Sequence, residues 1–215
     1  MALYGLKLCE ATHHEVGPFE TMNTKFRMAT EGDPAGMVKV LHLLLMAFSW
    51  GMQLWVSFIA GYVLLSKVTR HTFGLVQSKL FPMYFYCLLG SNTVSLAIYA
   101  VYHPRELLNW HETIQMALFF VAVIVAGLNA QWFTPAVIEH LLVMMEIEQE
   151  HGLGGEIGFS TNRERYIKLR EQDPKYKAHR NSFNRFHGIS TLSNLIGFAC
   201  TTINLIYLAL HLASI

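Results

Sequence analysis

Apolar and polar positions fall in long alternating blocks along this chain. Four runs, over 38–66, 83–102, 114–132 and 188–213, are almost continuously apolar, and apart from Lys39 at the start of the first they hold no Lys, Arg, Asp or Glu. Each contains the roughly 20 residues that a helix needs to cross about 30 Å of hydrocarbon. A soluble four-helix bundle would carry a charged stripe on each helix, because one face would meet water. These runs carry none. The pattern predicts an all-α integral membrane protein, a bundle of four transmembrane helices, in a single domain over 37–215 that follows a polar tail over 1–36.

The polar stretches refine that outline. In the tail, Glu10, Glu15, Glu20, Glu31 and Asp33 break up any apolar core, which argues against a cleavable signal or a mitochondrial presequence. Eleven of the 16 Lys and Arg flank the chain between the first and second runs or between the third and fourth; five lie on the other side. The positive-inside rule puts the richer side in the cytosol and both termini outside or in a lumen. Past Pro135, Ile138, Leu141, Leu142 and Met145 recur at helical spacing, so the third helix is expected to continue into the cytosol as Ala136–Glu150, with Glu146, Glu148 and Glu150 on a solvated face. The run Gly152-Leu153-Gly154-Gly155 ends it with a left-handed cap, and a polar connector follows. Asp173-Pro174 reads as an N-cap with proline at the first helical position, so that a basic stretch over 175–185 leads into the fourth span. The whole amphipathic segment covers 136–186. The stretch Arg70–Pro82 fits a segment lying in the membrane interface before the second span, or one that bears instead on a pore mouth.

With 53% hydrophobic and 14% charged residues, the composition agrees with a membrane protein. Cys9, Cys87 and Cys200 are far apart and form no CxxC or disulfide framework. No HExxH, GxSxG or P-loop is present, so no enzyme is expected, and no nucleic-acid partner. Candidate chemistry therefore rests on polar groups at membrane depth, which are costly there and face protein. His42 and Gln53 share one helix face with Met46 and Ser49 between them. Asn129, Gln131 and His187 lie near the cytosolic ends of their helices. Ser57, Gly61, Asn92, Asn194 and Asn204 read as helix-packing positions, through small residues and interhelical hydrogen bonds. His42 reads two ways, as a structural histidine or as a ligand for a soft metal or a haem iron, with Met46 and Met52 as thioether candidates for soft metal.

Several motifs closely resemble the transmembrane protein 205 family: Val40-Leu41-His42-Leu43-Leu44, Trp50-Gly51-Met52-Gln53-Leu54-Trp55, the stretch Arg70–Pro82, Asn129-Ala130-Gln131-Trp132, Gly152-Leu153-Gly154-Gly155-Glu156, Asp173-Pro174-Lys175-Tyr176 and Phe186-His187-Gly188-Ile189-Ser190. They run in order from about Met37 to Ala213. At 131–135 the chain has Gln-Trp-Phe-Thr-Pro in place of Arg-Trp-Leu-Glu-Pro. The resemblance implies a four-span protein of the plasma membrane and endomembrane vesicles that contributes to cellular resistance to cisplatin. Lys39-x-x-His42 followed by Trp50-Gly51 is also similar, over a short stretch, to the first helix of bacterial copper-resistance and haem-associated membrane proteins. Three readings follow. The first is a transport factor for export or vesicular sequestration of soft metal species, with His42, Met46, Met52 and Gln53 lining the interior and a homo-oligomer widening the path. The second is a scaffold that binds trafficking proteins through its cytosolic segment. The third is a haem-binding redox protein using His42 with His187.

Overall fold

A computed structural model describes residues 36–103, 109–158 and 161–210. Among them, four helices are long and apolar enough to cross a membrane: α1 (Gly36–Lys67), α2 (Arg70–Tyr102), α3 (Trp110–Glu150) and α5 (Pro174–Leu210). A short helix, α4 (Arg163–Gln172), precedes α5. No strand is present among the described residues, only one isolated antiparallel bridge between Thr69 and Ile157. The chain is thus an all-helical membrane bundle. The polar tail, apart from Gly36, lies outside the described residues, as does Arg105.

Local chemistry sets the helix ends. Asn109 accepts from the Glu112 N–H while the Glu112 carboxylate accepts from the Asn109 N–H, a reciprocal cap that starts α3. Asp173 Oδ1 accepts from the Tyr176 N–H at 3.0 Å and starts α5 at Pro174. Gly152, at φ +64°, ends α3. Two spans contain a π-helical turn, Trp55–Ala60 in α1 and Asn129–Phe133 in α3; in the second, the Thr134 N–H reaches back five residues to the Asn129 carbonyl. Such turns turn the helix face that follows them.

Three apolar clusters run along the bundle. Met46, Tyr99 and Phe119 fill one end, Val56, Tyr84, Phe85, Leu88, Ala126 and Ala130 the middle, and Met144, Ile147, Leu153, Leu169 and Tyr176 the basic end. Large apolar side chains such as Leu44, Phe48, Trp55, Phe120, Ile124 and Ile206 face outward, where lipid would cover them.

The structure corrects three expectations. Residues 70–82 form no separate interfacial segment: they are the first turns of α2, which passes through Pro82 without a break and turns Gly74, Gln77 and Ser78 inward. The reason is packing, since Gly74 lies against Leu141 and Met145 of α3. The connector before Asp173 is largely helical, as α4, because Leu169 is buried against Tyr176 and Met144. Glu148 is not solvated but 2% exposed, and it organises the candidate site below.

Candidate functional site

At the basic end, three elements meet on one carboxylate. Glu148 projects from α3 on the same face as Leu141, Met144 and Met145. Its Oε1 accepts from Tyr176 Oη at 2.6 Å and from Arg70 Nη2 at 3.2 Å, and its Oε2 from His71 Nε2 at 3.0 Å. A charge buried to this degree survives only when its oxygens are supplied with donors, as they are here by α2 and α5. The ionic contact is charge-assisted and joins α2 to the end of α3.

The loop after α3 closes over the start of α2. The first N–H groups of a helix have no partner within it. Here the Arg70 N–H donates to the Glu156 carbonyl at 2.9 Å and the His71 N–H to the Gly154 carbonyl at 3.1 Å, while Thr69 Oγ1 accepts from the Thr72 N–H. Gly154 has φ +98°, and a Cβ there would collide with the His71 ring. Only glycine suits both the backbone and the close approach. The Glu156 carboxylate accepts from the Gly154 N–H and from the Tyr166 hydroxyl, and the Arg70 guanidinium lies 4.0 Å over the Tyr166 ring. Burial pushes the Glu156 carboxyl up, but the Tyr166 hydroxyl, the Gly154 N–H and the Arg70 charge outweigh it and hold it below the usual carboxylate range. Burial, and the bond to Glu156, push the Tyr166 hydroxyl up.

Beneath this network lies a partly enclosed cavity of about 410 Å³ between α1, α2, α3 and α5. Arg70, His71, Glu148 and Arg180 stand at its polar end, and Phe73, Phe81, Val137 and Leu141 form much of its apolar body. Its wall also carries two thioethers, Met144 and Met145, and the imidazole of His187, which stacks on Phe183 at 5.4 Å between ring centroids. At the far end Asn194 donates to Ser57 Oγ at 2.8 Å and accepts from Tyr84 Oη at 2.7 Å. Gln77 lines the cavity with its Oε1 buried and without a hydrogen-bond partner among the described residues. The volume falls in the range of small-molecule sites, about 300–1,000 Å³.

The residues singled out from sequence are spread over the bundle. His42, Met46 and Gln53 lie buried on one face of α1. The His42 ring packs between Tyr99 and Phe119, with centroids at 6.5 and 5.7 Å, and its Nε2 has no hydrogen-bond partner among the described residues. Met46 joins that cluster, whereas Met52 packs in the middle one, so the two sulfurs are not brought together. Gln53 Nε2 donates to Thr201 Oγ1 at 3.2 Å. Asn129 accepts from Ser190 Oγ at 2.6 Å, and Gln131 is exposed beside Tyr86. Asn92 and Asn204 are buried, the latter with both amide atoms unpartnered among the described residues. Gly61 lines the cavity, where a Cβ would meet only Gln77 Nε2 of α2, at 3.9 Å. His187 is at the other end from His42. Ser57, fifteen residues and about 22 Å along α1 from His42, meets Asn194, and His187 lies a further seven residues toward the basic end. Among the described residues no three His, Cys, Asp or Glu side chains come together as a metal site.

The reading by residue type missed Glu148, Arg70, His71 and Tyr176. One signal was there: Glu148 follows Leu141, Met144 and Met145 at helical spacing, so the apolar stripe of the α3 extension runs into it.

Residues 44–142 match the family model described as Domain of unknown function (DUF4149). No solved structure matches this chain. Transmembrane protein 205 of Danio rerio is 73% identical over 188 residues, which cover 87% of this chain and 100% of that relative. With that identity maintained over that length, the chain belongs to the transmembrane protein 205 family.

Proposed function

We propose that this protein is a membrane transport or trafficking factor that affects export or vesicular sequestration of soft metal species, with the cavity at the basic end as its cargo chamber and that end in the cytosol. The observation that carries the reading is the cavity itself, a chamber within a four-span bundle whose wall holds Met144, Met145 and His187. Thioether and imidazole are ligands suited to soft ions, and a platinum(II) complex of the cisplatin type is such a cargo. The family resemblance to proteins linked with cisplatin resistance points the same way. The cargo site therefore moves from the His42 face of α1 to the opposite end of the bundle. Four helices enclose a narrow path, so the reading includes a homo-oligomer in the plasma membrane or vesicles. The haem reading has less support, because His42 and His187 are far apart and the His42 ring is enclosed by two aromatic side chains.

The test is uptake of a platinum(II) diammine complex into neutral-lipid liposomes that contain only the purified protein. Met145→Leu and His187→Ala are expected to lower the protein-dependent flux by about tenfold each, the order of one lost ligand contact, while His42→Ala leaves it in place. No flux above empty liposomes with folded protein would favour a scaffold that binds trafficking proteins through 136–186.

A further inference from the structure

The cation at the mouth of the cavity is not matched by the anion beside it. Glu148 receives Arg70, His71 and Tyr176, and Arg70 is further held over the Tyr166 ring. Arg180 also lines the cavity and is half-buried, yet it makes no hydrogen bond or salt bridge among the described residues. A guanidinium in that position is a ready partner for a phosphate or carboxylate. The second observation is Gln77, whose Oε1 is an acceptor with no partner among the described residues, in a side chain only 8% exposed. A buried polar atom without a partner is costly, and a ligand that donates to it removes the cost. Gln77 stands seven residues beyond Arg70 on α2, about 10 Å deeper, and helical side chains lean back toward the N-terminus. Phe73 and Leu141 flank the stretch between the two, and beyond Gln77 the apolar body continues with Phe81 and Val137.

From mouth to floor the cavity thus offers a cation, a hydrogen-bond acceptor and an apolar chamber. We propose that it binds an anionic single-chain amphiphile, with the phosphate or carboxylate head on Arg180, a hydroxyl donating to Gln77, and the acyl chain in the apolar body. A lysophospholipid with a free glycerol hydroxyl has this chemistry. The inference rests on the reading of the cavity as a cargo chamber and adds a lipid ligand to it.

The experiment uses the full chain in phosphatidylcholine nanodiscs with two probes, lysophosphatidic acid and lysophosphatidylcholine, each carrying a diazirine on its acyl chain, and maps the labelled residues by mass spectrometry. The anionic probe is expected to label the α2 and α3 walls of the cavity about tenfold more than the zwitterionic one. Arg180→Gln should remove that preference, Arg180→Lys should restore most of it, and Gln77→Leu should weaken labelling by both probes. Equal labelling by the two probes, wild-type preference in Arg180→Gln, or label confined to the outer surface would overturn the proposal. Displacement by millimolar inorganic phosphate would overturn the lipid and leave a soluble-phosphate site; resistance to it supports the lipid. The labelling contains no platinum and the flux assay no anionic lipid, so they fail separately. Flux without labelling sinks the lipid ligand, and labelling without flux sinks the transport reading.

Discussion

At the scale of single residues, Glu148 has the greatest influence on the basic end. Its carboxylate is shared by donors from α2 and α5, and removal leaves Arg70, His71 and the Tyr176 hydroxyl without their acceptor. Glu148→Leu is therefore expected to destabilise the folded protein by about 3 kcal/mol, measured as detergent-induced unfolding; stability within a few tenths of wild type would show that the network is not structural. His42 has the opposite expectation. Its ring sits among aromatic side chains with Nε2 unpartnered among the described residues, so His42→Phe keeps the packing and removes an unsatisfied polar atom. The variant should match or exceed wild-type stability by about 1 kcal/mol; a clear loss would reveal a partner for the imidazole. Sequence left His42 open between a structural and a ligand role, and made Glu148 look solvated. A histidine at membrane depth invites a functional reading, and a carboxylate near a helix end invites a solvated one. What decides each is which side chains from distant parts of the chain surround it.

At the scale of elements, the long spans and their ends were legible because their causes are local. The apolar runs set the helices, Asp173-Pro174 starts α5, and the glycine after α3 stops it. The closure of the 154–157 loop on the start of α2 was not legible, because the partners are more than eighty residues apart and meet only once α3 has passed α2. The loop has a pH dependence of its own. Glu156 has a folded-state pKa lower than its unfolded one, so its contribution is present above the unfolded value and is lost as pH falls through the folded value. The melting temperature should therefore drop on acidification below the usual carboxylate range, and Glu156→Gln should flatten that drop. Gly154→Ala should loosen the loop at every pH, seen as faster hydrogen exchange of the Arg70 and His71 amides; unchanged exchange would contradict the close fit against His71.

At the scale of the whole molecule, four spans follow from composition and helix length, and the family follows from the relative that matches most of the chain. The cavity does not follow from either, because its wall is assembled from four helices, with Gly61, Gln77 and Met145 among the lining residues. Ser57 and Gly61 looked like a helix crossing by their spacing; Ser57 does meet Asn194 of α5, and beside Gly61 there is open space as far as Gln77. That open space provides the most direct test of the cavity as cargo chamber. Gly61→Leu adds side-chain volume to the cavity wall from α1, at a position where a Cβ would meet only Gln77 Nε2 at 3.9 Å, whereas Gly51 does not line the cavity and a Cβ there has nothing within 4 Å. In platinum-complex uptake by protein-containing liposomes, Gly61→Leu is expected to lower the protein-dependent flux by at least about fivefold, roughly 1 kcal/mol, with Gly51→Leu unchanged. Equal flux in Gly61→Leu and wild type, with both folded, would contradict the account.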